Sequence, residues 1–248
     1  MITPDLNIRQ DTGRVNSGKN MNYKEILNNV QDQVLANKED IDSIKYDPSI
    51  KDVSEELAPP EVTLQWRSLI AAPPKNSSLQ TKKEMELIAK RSKVRTKAEE
   101  KQVMINDKEV LDLFEPFIKK HDLKFDRKEL ERYDNIRKKV TALLKKFYNR
   151  PRPEQLSKHY DLDINVLETK THATPAYPSG HAAIGYLVAE YLSDKYPEHR
   201  KQLFMIADNA GFLRVIQGVH YPSDSVASKE MISKLYKNVK KNIEKTKD

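Results

Sequence analysis

Apolar residues along this chain recur at helical spacing. They follow an i, i+3, i+4 rhythm through Val110–Ile118, Leu130–Phe147, Ala182–Leu192 and Leu203–Val215, and nothing longer than a few residues alternates with period two. Upstream, "IAAPPKNSS" at Ile70–Ser78 reads as an extended segment leading to a helix cap. The charged run "LQTKKEMELIAKRSKVRTKAEEKQ" follows it as a helix. Near the C-terminus, Met231, Leu235, Val239 and Ile243 stand four apart with lysines between them. That pattern predicts a terminal helix packed on the core with a solvated basic face, a membrane-surface or nucleic-acid helix being the alternative. Glycine is scarce at six residues and Asn-Gly is absent, which removes the usual hairpin turns. The expected fold is all-α, a compact helical bundle.

The first sixty residues break the pattern. They are rich in Asn, Asp, Gln and Lys, with short apolar clusters only at Ile26–Val34 and Ile41–Ile44. They read as a polar, partly flexible leader with one or two short helices, suited to assembly or attachment. The boundary falls at "LAPPEV", dividing the chain into a leader, 1–60, and a helical domain, 61–248.

Charge follows the same division. Residues 1–60 carry 7 Lys+Arg against 11 Asp+Glu, so the chain's net +7 comes entirely from residues 61–248. Such a surplus attracts nucleic acid, anionic membranes or small anionic substrates without choosing among them. With no cysteine, disulfides and thiolate chemistry are excluded. No window reaches about 18 uninterrupted apolar residues, and the first residues lack the basic-then-apolar order of a secretory signal. The expectation is a soluble, cytoplasmic protein without an integral membrane segment.

Three short motifs then select the small anion. Lys145 is followed after six residues by Arg152-Pro153; "PSGH" spans Pro178–His181; Arg214 is followed after five residues by His220, with Asp224 four further on. Two guanidiniums present planar forks to phosphate oxygens and an ammonium adds a compact charge, so Lys145, Arg152 and Arg214 can neutralise a phosphoryl group without a metal. Ser179 and Gly180 sit where a helix begins, and unsatisfied backbone N–H groups there favour an oxyanion. By itself "PSGH" equally describes a capping serine and a surface histidine. His220 can attack as a nucleophile with Asp224 holding its other ring nitrogen, and His181 can protonate the leaving oxygen.

Together these motifs resemble the phosphatidic acid phosphatase type 2 superfamily, which includes class A bacterial acid phosphatases and vanadium-dependent haloperoxidases. The resemblance spans roughly residues 69 to 240. It implies that Lys145, Arg152, Ser179, Gly180 and Arg214 bind phosphate, that His181 is the acid, His220 the nucleophile and Asp224 its partner. Leu213 stands where the family commonly has serine. The function implied is hydrolysis of soluble phosphate monoesters through a phosphohistidine, with no metal or other cofactor and with vanadate as an inhibitor. The alternatives are a haloperoxidase using vanadate as cofactor and a catalytically inactive relative. Expected partners are a small phosphorylated substrate and no specific nucleic acid, with a homo-oligomer left open. His172 reads as a loop histidine at or beyond the pocket edge, and His121, His159 and His199 as surface residues. Tyr177 and Tyr221 either line the pocket or pack beside it.

Overall fold

A computed structural model describes residues 40–46, 59–169, 171 and 173–245. Most of the leader, including Ile26–Val34, lies outside them, as does His172. The described part is all-α: it holds a helical stretch at 40–43, eight further α-helices and several short 3-10 turns, with no strand. The helices are α1 (Leu79–Lys93), α2 (Lys97–Lys108), α3 (Glu115–Lys120), α4 (Arg127–Tyr148), α5 (Pro153–Ser157), α6 (Gly180–Lys195), α7 (Arg200–Gln217) and α8 (Pro222–Lys245).

Local chemistry sets the ends. Ser78 caps α1, its hydroxyl accepting from Thr81 N at 3.1 Å. The charged run expected as one helix is two, because Thr96 and Glu99 form a capping box that starts α2 afresh: Glu99 N donates to Thr96 Oγ1 and Thr96 N to Glu99 Oε2. Asp126 caps α4 through Lys128 N and Glu129 N, and α4 ends on Asn149 in the left-handed region, φ 46°. Val110–Ile118, expected as helical, divides into a 3-10 turn at Val110–Leu113 and the start of α3.

The apolar α6 is the central element, packed against α7, α8 and α4, while α1 and α2 lie on α7. Its residues are buried on nearly every face, which is why it carries almost no charge before its last turn. Gly185 lets α7 come close: a Cβ there would sit 3.2 Å from Ala210 Cβ and 3.4 Å from Ala207 Cα. Val140 and Leu144 of α4, Val188 and Leu192 of α6, Leu203 and Ala207 of α7, and Met231, Leu235, Val239 and Ile243 of α8 form the main core. Thus the terminal helix spends its apolar stripe on the bundle. Among the described residues no helix is long and apolar enough to cross a membrane.

Residues 40–46 belong to the same compact unit as the bundle. Ile41 is buried beside Leu156, Ala176 and Tyr221, Asp42 accepts from Ser77 N and Oγ at 2.8 Å, and Tyr46 N donates to Asn149 O.

Candidate active site

Three helix ends meet where the motifs lie. Lys145 is on the last turn of α4, Gly180 and His181 open α6, and Gly218 ends α7. Gly218 has φ 91°, its N–H closes back on Arg214 O and Val215 O, and a Cβ there would lie 3.0 Å from Ile164 Cγ2. This sharp exit turns the chain so that His220 faces inward just before α8 begins at Pro222. A cavity of about 360 Å³ lies between these ends, lined by Lys145, Arg152, Gly180, His181 and His220 among others. The other three expected residues, Ser179, Arg214 and Asp224, are each 0% exposed and stand behind this lining.

His220 is clamped at both ring nitrogens. Nδ1 lies 2.8 Å from Asp224 Oδ2, and Nε2 lies 2.8 Å from Arg152 Nη1. A guanidinium only donates, so Nε2 is the accepting nitrogen and Nδ1–H donates to the carboxylate. Burial, and then the charges of Arg152, Lys145, Arg214 and His181, hold the imidazole well below its ordinary pKa, so it is neutral. Asp224 Oδ2 also accepts from Tyr221 N at 2.9 Å, and Oδ1 from Arg150 Nη1 at 2.7 Å. Burial holds the Asp224 carboxyl above its ordinary value, against the downward pull of the Arg150 charge.

His181 has fewer partners, a hydrogen bond to the Asp107 backbone with Nε2 3.9 Å from Asp107 Oδ1, and its side chain is 17% exposed. Burial first, and then the Arg214 charge, lower it to about 3. The same causes recur around the cavity. Burial and Arg214 bring Arg152 down to about 9, which leaves it charged, and burial with Arg152 depresses Lys145 well below the usual lysine range. Lys145 Nζ donates to Pro175 O, while Arg152 Nε donates to Thr174 O at 2.7 Å.

Ser179 caps α6, its hydroxyl accepting from Ala182 N at 3.4 Å and its N–H donating to Asp224 O at 3.2 Å. Next to it, a Cβ built on Gly180 meets nothing within 4 Å. Arg214 is engaged by Asp107, Nη1 to Oδ1 at 2.7 Å, with Thr171 Oγ1 3.3 Å from Nη2. Burial works to raise Asp107, but hydrogen bonds from Thr171, Arg214 and Thr169 outweigh it and hold the carboxyl below its ordinary value.

Sequence reasoning did not single out Asp107, Arg137 or Arg150. Arg137 lines the cavity, pairs with Asp134 at 2.7 Å and reaches Gly180 O at 3.4 Å. Arg150 had one signal, its place beside Arg152 in "NRPRP". Leu213 packs with Val103 and Ile216, away from the cavity. Tyr177 and Tyr221 are both buried; Tyr177 donates to Ala71 O, and neither lines the cavity. His121 packs against His199 and Phe117 in tilted contacts, and His199 meets Phe117 edge-on. Among the described residues there is no group of three or more His, Cys, Asp or Glu side chains that could hold a metal ion.

Residues 136–230 match the sequence model of the PAP2 superfamily. Over 88 residues the chain is 40% identical to a non-specific acid phosphatase of Salmonella typhimurium and 39% identical to one of Salmonella typhi. In both cases the match covers 34% of this chain and 34% of the relative, so the chain spans about a third of the length of the curated relatives it matches. The transmembrane PAP2 type phosphatidylglycerolphosphate phosphatase from Bacillus subtilis superposes with a TM-score of 0.47 at 20% identity, over 66% of this chain and 86% of that one.

Proposed function

Starting from residues 136–230 as a PAP2 superfamily region, we propose that the protein is a metal-independent phosphomonoesterase that acts on small soluble phosphate monoesters through a phosphohistidine at His220. The catalytic work belongs to residues 61–248 and none of it to the leader, 1–60. The observation that carries this reading is geometric: Lys145, Arg152, Gly180, His181 and His220 line one cavity, with His220 held between Asp224 and Arg152. The protein's own groups leave a surplus of positive charge around one cavity, which a phosphate dianion would relieve. The relatives named non-specific acid phosphatase support the same reading over the matched segment.

In this mechanism the ester phosphate lies over Gly180 at the start of α6, with Arg152 and Lys145 on its oxygens. Its charge draws Arg152 Nη1 away from His220 Nε2 and frees the lone pair. Nε2 attacks phosphorus, the P–O ester bond breaks, and His181 gives its proton to the leaving oxygen. Neutral His181 then takes a proton from water; the hydroxide attacks phosphorus, the P–N bond breaks, and inorganic phosphate leaves with His220 restored. The proton on His181 arrives with the substrate, whose negative charge offsets the Arg214 charge that, after burial, lowers this imidazole; the proton taken from water at the end of the cycle leaves on inorganic phosphate.

Purified full-length protein assayed with an aryl phosphate at about pH 5, with and without a strong chelator, tests the proposal. Hydrolysis should persist at an unchanged rate with chelator. Loss of turnover restored by a divalent ion would overturn it.

A further inference from the structure

Arg150 lies on the short link between α4 and α5, two residues before Arg152, yet it does not line the cavity. Its side chain is 1% exposed and its neighbour Asp224 is 0% exposed. One side of the guanidinium is committed to Asp224 Oδ1 at 2.7 Å and Ser223 Oγ at 2.8 Å, and the other reaches Glu84 Oε2 of α1 at 3.4 Å. Its Cζ lies 3.7 Å from the centre of the Tyr221 ring. Glu84 in turn receives Ser223 N at 2.9 Å and Ser223 Oγ at 2.8 Å. Sequestering a guanidinium and two carboxylates in this way is costly, and apolar packing would knit α1 to α8 as well.

What apolar packing would not do is divide the oxygens of Asp224. Arg150 takes Oδ1, which leaves Oδ2 for His220 Nδ1 and Tyr221 N. Without the cation, a carboxyl buried to this extent is free to turn or to take up a proton. A protonated Asp224 would donate rather than accept, and the imidazole would be released to its other tautomer, with Nε2 protonated and unable to attack.

We propose that Arg150, braced by Glu84 and Ser223, is the positioning residue of the nucleophile: it fixes the rotamer and the charge of Asp224 and through it the tautomer of His220. This rests on the reading of His220 as the nucleophile. It gives the two arginines of "NRPRP" separate tasks, Arg152 facing the phosphate and Arg150 the far side of the carboxylate.

The test uses full-length Arg150→Met and Arg150→Lys, with three readouts: kcat/KM for an aryl phosphate, orthovanadate affinity, and the His220 ring-nitrogen shifts by NMR. A phosphoenzyme trapped on His220 in the unaltered protein first secures the underlying reading separately. Arg150→Met should lose about 100-fold in kcat/KM, the scale of removing a group that orients a catalytic imidazole. Orthovanadate affinity should stay within about threefold, and His220 should shift toward the Nε2–H tautomer. Arg150→Lys should recover most of the rate, and it carries the test alone if the methionine variant does not fold. A folded Arg150→Met within about threefold of normal kcat/KM would overturn the proposal. So would loss of orthovanadate binding in parallel with rate, unchanged His220 shifts, or Arg150→Lys as impaired as methionine.

Discussion

The two histidines of the cavity are built in opposite ways. His220 is 1% exposed, bonded at both nitrogens and backed by two further layers, Asp224 and then Arg150 with Glu84. His181, on the first turn of α6, stands 3.9 Å from Asp107 beside a glycine with open space around it. The contrast fits different tasks. A nucleophile needs one tautomer at every pH at which the enzyme works, which a buried network bonded to both of its ring nitrogens supplies. A group that must gain and lose a proton in each cycle needs a pKa that a ligand can move, and an imidazole at the cavity edge, lowered by burial and by Arg214 and raised by Asp107, has one.

Replacing each histidine with alanine should break the comparison most visibly. His220→Ala removes the attacking atom and should cost about 10⁴-fold or more in kcat/KM, for activated aryl and unactivated alkyl phosphates alike. In His181→Ala the alkyl phosphate should lose about 10³-fold and the aryl phosphate about tenfold or less, since a good leaving group departs unprotonated. Equal losses on both substrates would reduce His181 to a phosphate ligand.

The pH profile sharpens the same contrast. His220 is held well below its ordinary pKa, first by burial, so the nucleophile imposes no limit near pH 6. His181 titrates at about 3 with only protein groups around it, and the working proton therefore enters on the substrate, whose second ionisation is near pH 6. The ratio kcat/KM should be flat just below about pH 6 and should fall about tenfold per unit above that. A limb rising toward neutral pH would mean that His220 must lose a proton near 6.5 and is not held neutral by its surroundings.

Gly180→Ala tests where the phosphate lies. The new methyl meets no protein atom, so the melting temperature should hold or rise slightly, but it enters the space assigned to the ligand. Orthovanadate should bind about tenfold more weakly, by titration calorimetry. Unchanged binding would move the phosphate away from the α6 start.

Smaller effects are expected at the leader. Deleting residues 1–39 should leave both melting temperature and kcat/KM unchanged. Deleting 1–46 also removes buried Ile41 and the Tyr46–Asn149 hydrogen bond, and should cost about 2 kcal/mol of stability by denaturant titration. Activity should fall only severalfold, through loosening of the Asn149–Arg152 link. Equal stability of the two truncations would make the 40–46 contacts energetically neutral.

Much of the bundle was legible because the burial of α4, α6, α7 and α8 is written in apolar residues at helical spacing. The break before α2 was hidden, since Val94–Thr96 interrupts a run so polar that no apolar stripe changes phase there, and only the Thr96–Glu99 pair marks it. The cavity residues could be found because their types and spacings are specific to phosphate chemistry. Asp107 could not: an aspartate near the end of a charged helix looks solvated, and its contact with Arg214 spans 107 positions. Arg150 was overshadowed because two neighbouring arginines give no sign, in one dimension, of which carboxylate or ligand each will meet.

The central claim is a covalent phosphate on His220. Full-length protein mixed with an activated aryl phosphate, quenched within milliseconds in alkaline denaturant to preserve the acid-labile P–N bond, and mapped by peptide mass spectrometry tests it most directly. The phosphate is expected on the His220 peptide, at Nε2, with more of it trapped in His181→Ala because removal of the phosphate also needs that base. Phosphate on Ser179, or turnover with no phosphorylated residue at any quench time, would contradict it.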